Sequence, residues 1–200
     1  MGKIVVFANL TLDGVMQAPG RKDEDTRGGF KHGGWAAPYA AMSSGEAGSN
    51  LNEIGALLMG RRTYEDFYGF WPKQTDGNPF TGMLNKAQKY VVSTTLKEPL
   101  AWENSSLIKK DVPEAITKLK AQQEKDLMVM GSGELIQTLM KHNLVDLYIL
   151  LIHPLVLGSG RKLFPDDGTF ATLQFVDSKP TPKGVIAATY KPAEATEKPA

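Results

Sequence analysis

Leu57-Leu58-Met59-Gly60-Arg61-Arg62-Thr63-Tyr64-Glu65-Asp66 decides the fold. An apolar run stops at a glycine, and a polar, helix-forming run starts at once. The same grammar returns at Leu127-Met128-Val129-Met130-Gly131-Ser132-Gly133-Glu134-Leu135, and between them Lys89-Tyr90-Val91-Val92-Ser93-Thr94-Thr95 is a strand ending in hydroxyls. A helix N-terminus offers unpaired N–H groups and partial positive charge, which together hold phosphate. Two such ends, with two arginines at the first, predict a phosphorylated nucleotide lying across the carboxyl edge of a sheet.

Reading outward from these stretches, residues 3–9 form a buried strand broken by Asn9-Leu10-Thr11-Leu12-Asp13-Gly14. Residues 17–34 are a polar loop holding five glycines, and loops of this length in compact domains are often functional. A helix is expected over Trp35–Glu53, a strand over Ile54–Met59 and a helix over Thr63–Phe70, ended by Trp71-Pro72. Thr63 and Asp66 have capping-box spacing. After a loop at 73–83 come a short helix at Met83–Ala87 and a strand at Lys89–Ser93. Asp111 caps a helix reaching about Gln123, with Pro113 in its first turn, where a missing N–H costs nothing. A strand at Leu127–Met130, a helix at Gly133–Lys141 and an apolar strand at Val145–Ile152 follow. Strands near 173–178 and 184–190 share so short a connection that they must pair antiparallel. The expectation is one α/β domain over residues 1–190: a mostly parallel central sheet flanked by helices, with an antiparallel C-terminal hairpin. Residues 191–200 are Lys, Pro, Ala, Thr and Glu, a disordered tail by composition.

Composition narrows the function. Two hundred residues suffice for one core without staples. With no Cys, disulfides and thiolate metal sites are excluded. Twenty-three Lys and Arg against 22 Asp and Glu leave +1, which gives no electrostatic case for nucleic acid or membrane. The apolar run at the N-terminus is too short for a signal, so a cytoplasmic protein is expected. His32, His142 and His153 lack ligand spacing and read as surface or capping residues, with no metal site. There is no Gly-x-Ser-x-Gly elbow for nucleophilic hydrolysis.

Several residues carry two readings each. Arg61 or Arg62 forks onto a phosphate with Thr63 donating a hydroxyl, or the arginines are a solvated pair after a tight turn. Gly131-Ser132-Gly133 lets a backbone approach a pyrophosphate, or Ser132 simply caps a helix. Ile136 occupies the third-glycine position of the dinucleotide fingerprint, which disfavours a standard Rossmann site. Asp13-Gly14 is an ordinary turn or puts a carboxylate at the substrate. Trp35 is core or a ring wall for a planar ligand.

In order along the chain, Asn9-Leu-Thr-Leu-Asp13-Gly14, Leu58-Met-Gly-Arg-Arg-Thr-Tyr-Glu65, Lys89-Tyr-Val-Val-Ser-Thr-Thr95, Met130-Gly-Ser-Gly-Glu-Leu135 and His153-Pro-Leu-Val-Leu-Gly-Ser-Gly-Arg-Lys-Leu-Phe164 form a set. From residue 3 to about 190 the chain resembles the dihydrofolate reductase superfamily. Its closest resemblance is to the branch of the riboflavin-biosynthesis reductase domain and its stand-alone bacterial relatives. The resemblance implies NADPH as cofactor. Gly60, Arg61, Arg62 and Thr63 would meet the 2′-phosphate and pyrophosphate, with Ser93 near the former. Gly131, Ser132, Gly133, Glu134 and Leu135 would form the second phosphate turn. Asn9, Asp13 and Gly14 would lie beside the nicotinamide, with Asp13 as the catalytic candidate and Asn9, Gly14 and Trp35 at the substrate. The turn from His153 to Arg161 would lie near the substrate or a dimer contact, and a homodimer is implied. The first helix offers only Glu46 and Glu53 as carboxylates, without the pattern of folate-reducing members. Only Arg161 or Lys162 suggests a ribose-phosphate pocket. The function expected is NADPH-dependent hydride transfer to a C=N or C=O group of a small substrate, heterocycles included. The alternatives are a nucleotide-binding protein of the same fold without turnover, or a dihydrofolate reductase.

Overall fold

The computed structural model describes residues 1–39, 54–75, 77–164, 166–167 and 170–193. Most of the expected 35–53 helix therefore lies outside the described residues, as does the tail from 194. Trp35 stands just before a 3-10 turn, Ala37–Tyr39.

The elements run β1 (Ile4–Thr11), β2 (Ile54–Gly60), α1 (Arg61–Phe70), α2 (Pro79–Lys86), β3 (Gln88–Val92), β4 (Ser105–Ile108), α3 (Val112–Gln122), β5 (Asp126–Val129), α4 (Gly133–Lys141), β6 (Leu147–His153), β7 (Leu173–Pro180) and β8 (Ile186–Pro192). They build one eight-stranded sheet in the order β4-β3-β2-β5-β1-β6-β8-β7. The strands from β4 to β6 pair parallel, and β8 pairs antiparallel with both β6 and β7. This is the expected α/β class with its antiparallel C-terminal hairpin. β8 continues through Lys191 and Pro192, and the Ala193 N–H bonds to Thr172, so the first residues of the expected tail are ordered.

Alternation along the strands divides the core by face. Ile4, Val6, Ala8 and Leu10 of β1 join Ala56 and Leu58 of β2 and Leu127 and Val129 of β5 on one face, under α3 and α4. Leu57 and Met59 of β2, Met128 of β5 and Val91 of β3 fill the other face, with Tyr64 of α1 and Leu84 of α2. Burial on both faces explains why β2 reads as one unbroken apolar run.

Three local expectations change. β4 is an additional parallel edge strand beside β3. The short helix starts four residues earlier, at Pro79, because Asn78 caps it by accepting from the Phe80 N–H. The 61–70 helix starts at Arg61 with Gly60 as its cap, so Thr63 and Asp66 form no capping box; Asp66 instead pairs with Arg21.

Candidate nucleotide and substrate site

β2 leads through α1 toward β3 on one side, whereas β5 leads through α4 toward β6 on the other. Adjacent strands whose connections diverge leave a crevice at their carboxyl ends. Gly60 closes β2 and Met130-Gly131-Ser132 follows β5, so both glycine turns border this crevice. They touch: the Gly60 N–H donates to the Gly131 carbonyl at 3.0 Å. A Cβ on Gly60 would lie 2.4 Å from Ser132 Oγ, and one on Gly131, where φ is +138°, would lie 2.7 Å from Thr63 Oγ1. Glycine is required at both positions, at Gly131 by conformation as well as space.

Neither α1 nor α4 carries a side-chain hydrogen bond at its N-cap, although Ser132 holds the capping position of α4. Two helix N-termini thus converge with first-turn N–H groups that no cap side chain uses. Arg61 pairs with Glu65 at 2.9 Å. Arg62 is exposed and forms no ion pair among the described residues.

Two cavities adjoin here. One, of about 340 Å³, is lined by Gly60, Arg61, Arg62, Ser93, Ser132, Glu134 and Leu135, together with Thr94 and Thr95. Ser93 is buried, and its hydroxyl accepts from the Thr95 and Leu96 N–H groups, fixing the turn after β3. The other is a cleft of about 760 Å³ reaching Asn9, Thr63 and the Gly131–Glu134 turn, with Arg62, Ser132 and Glu134 shared between them.

Thirteen positions were expected at the site, fourteen counting Asp13, and three of these line neither cavity: Asp13, Gly14 and Trp35. Asp13 is occupied elsewhere. It accepts the Thr11 hydroxyl at 2.5 Å and the Gly158 N–H at 2.8 Å, and the Thr11 bond is the main cause holding its carboxyl below the ordinary 3.8. It ties the β1 loop to the glycine-rich turn after β6. Gly14, with φ +80°, forms the tight turn beside it. Trp35 is core: its Nε1 donates to the Gln17 carbonyl at 2.8 Å, and its ring meets the His153 ring edge-on at 5.1 Å. His153 is likewise interior, only 2% exposed, contrary to its expected surface or capping role.

The 17–34 loop supplies residues that sequence reading passed over. Gln17 donates to the Asp25 and Arg27 carbonyls and accepts from the Arg161 N–H, shaping the loop into a wall of the cleft. Glu24 accepts from the Gly20 and Arg21 N–H groups, yet burial raises its carboxyl above the ordinary 4.5. Burial likewise raises Asp66, which faces the same cleft and pairs with Arg21. Asp25 moves the other way, held down by Arg27. Arg161 and Lys162 line the cleft but are paired with Glu134 and Asp166. Among the described residues no group of three His, Asp or Glu is placed to hold a metal, and no helix is long and apolar enough to cross a membrane.

The sheet order, the C-terminal hairpin and the crevice between two glycine turns define a dihydrofolate reductase-like protein. The family model described as the RibD C-terminal domain matches residues 2–187, and the chain belongs to that family. It is 32% identical over 144 residues to YyaP of Bacillus subtilis (strain 168), itself uncharacterized, covering 70% of this chain and 75% of that one. A solved structure from Shewanella sp. PV-4, named for riboflavin biosynthesis, superposes with TM-score 0.68 at 21% identity, covering 97% and 100% of the two chains. Enterococcus faecalis dihydrofolate reductase, solved with NADP(H), superposes with TM-score 0.58 at 13% identity, covering 96% and 98%. The family supports a reductase-type function.

Proposed function

We propose that this chain is an NADPH-dependent reductase that passes hydride to a C=N or C=O group of a small substrate, heterocycles included. The carrying observation is the meeting of two glycine turns at helix N-termini free of side-chain caps, with Arg62, which forms no ion pair among the described residues, on the wall between the two cavities. The residues fit the cofactor. The glycines at 60 and 131 let the two sets of first-turn N–H groups approach one junction, flanked by the Ser132 and Thr63 hydroxyls, where a pyrophosphate would lie. Arg61 and Arg62 would take the 2′-phosphate in the smaller cavity, and the nicotinamide would reach into the larger one beside Asn9. A bound nicotinamide supplies the hydride.

The protein's own part is positioning. The loop wall built on Gln17 narrows the cleft, and Gly133 is held close to Met16, since a Cβ there would lie 2.9 Å from its Sδ. Asp13 takes no chemical role in this reading, because its carboxylate is spent on the loop. Glu24 and Asp66, both raised by burial, are the cleft carboxyls that hold a proton to higher pH than their ordinary values. The protein is read as cytoplasmic and as a homodimer on its family resemblance.

Titration of the purified protein with NADPH and separately with NADH, followed by nucleotide fluorescence, tests this reading. Tighter binding of NADPH is expected, and binding of neither nucleotide would overturn it.

A further inference from the structure

His153 ends β6 beside Thr11 of β1, and its ring is buried between Trp35 and Tyr39, each meeting it edge-on at 5.1 Å. The interior charges it with difficulty, and burial lowers it to about 4, so the imidazole carries one proton for two nitrogens. Nε2 lies 2.9 Å from Asn9 Oδ1, whereas Nδ1 is buried and has no hydrogen-bond partner among the described residues. A carbonyl oxygen only accepts, so the proton is on Nε2 and Nδ1 is bare. Turning the Asn9 amide over would force the proton onto Nδ1. That would leave a buried N–H with no acceptor, the costlier of the two defects. The imidazole therefore fixes which way the Asn9 amide points. With Oδ1 committed to His153, the Nδ2 amino group donates no bond among the described residues, and Asn9 lines the cleft.

We propose that His153 is a positioning residue that locks the Asn9 carboxamide, so that Asn9 Nδ2 donates a hydrogen bond to the carboxamide oxygen of a bound nicotinamide. The assignment rests on the cofactor reading above. The imidazole never touches the cofactor. It acts by removing the flipped Asn9 state, in which an acceptor oxygen would face the nicotinamide oxygen.

The test uses two probes with the whole protein: NADPH, and adenosine 2′,5′-bisphosphate, which keeps the 2′-phosphate end and lacks nicotinamide. Asn9→Ala and His153→Leu should each weaken NADPH roughly tenfold while leaving the bisphosphate affinity unchanged, since one oriented hydrogen bond is lost. His153→Gln should restore NADPH binding, because the glutamine amide nitrogen reaches about where Nε2 sits and donates without charging. The bisphosphate affinity also certifies that each variant is folded. Unchanged NADPH binding in both loss variants overturns the assignment, as does a parallel fall for both probes or a His153→Gln protein no better than His153→Leu. A wild-type protein that binds neither probe overturns the cofactor reading itself, and this assignment with it.

Discussion

Gly60→Ala isolates the contact on which the site depends. The backbone at Gly60, with φ −74° and ψ 158°, suits any residue, so the effect is steric alone. The new Cβ would sit 2.4 Å from Ser132 Oγ, 3.1 Å from Ser132 Cβ and 3.0 Å from the Ser132 amide nitrogen. Relief requires the turns to part by about 1 Å, an overpacking cost of about 1–3 kcal/mol. The Gly60–Gly131 hydrogen bond, 3.0 Å long in the native protein, does not survive that displacement. Its loss adds about 0.5–1.5 kcal/mol. Together these predict about 1.5–4.5 kcal/mol of destabilisation, a melting temperature lower by about 3–18 °C for a domain of this size. On the proposed function NADPH binding should weaken as well, because the two helix ends assigned to one pyrophosphate no longer meet. Ser132→Gly alone should cost only a few tenths of a kcal/mol, since its side chain makes no cap bond. Combined with Gly60→Ala it removes the two side-chain clashes and leaves only the amide nitrogen. The double variant should therefore be more stable than Gly60→Ala, a coupling that a double-mutant cycle of thermal melts reads directly. Gly60→Ala melting at the wild-type temperature, or a double variant no more stable than the single one, would refute the reasoning.

Further outcomes follow from the same geometry. Arg62→Ala should weaken NADPH by roughly ten- to hundredfold and NADH little, measured by parallel titrations, whereas Arg61→Ala should do less because Arg61 is already shared with Glu65. Glu24 holds its proton in the native state at pH values where the unfolded chain has lost it, so stability falls as pH rises from the ordinary 4.5 through the raised value. Urea midpoints for Glu24→Gln should lack that fall. Lys89 is fully buried, and its ammonium donates to the Asn85, Ala87 and Glu103 carbonyls. Lys89→Met, which keeps the stem and strands those acceptors, should cost about 1.5–3 kcal/mol in chemical denaturation. Asp13→Ala should lower thermal stability and leave the ratio of NADPH to NADH affinity unchanged, since its carboxylate joins two loops outside both cavities.

The two glycine turns were legible in the sequence because their logic is local: strand, glycine and helix follow one another within ten residues, and spacing alone exposes them. The strands with long apolar runs were legible for the same reason. β4 was not, since Ser105-Ser106-Leu107-Ile108 is four residues with two hydroxyls, all half-buried at an edge. Its strand character comes from pairing with β3. Asp66 misled because its helical spacing from Thr63 imitates a cap, while its partner, Arg21, lies 45 residues away. Asp13 misled in the opposite direction, since its 145-residue bond to Gly158 has no local trace. His153 and Asn9, 144 residues apart, meet only because β1 and β6 are neighbours in register. Groups recruited across the sheet are invisible to periodicity, as are the Arg161 and Asp66 partners that the 17–34 loop meets far along the chain.

The single hydrogen bond from Gly60 to Gly131 also gives the protein an internal reporter. The β2–β5 ladder reaches only to Leu58 and Val129, so this bond lies beyond the last paired residues, where strands fray first. Its amide proton therefore exchanges with solvent when the two turns separate, without requiring the sheet below to open. A ligand that grips both turns must slow that exchange at one residue, and a ligand held elsewhere in the cleft must leave it unchanged. Deuterium uptake at Gly60 thus records occupancy of the junction.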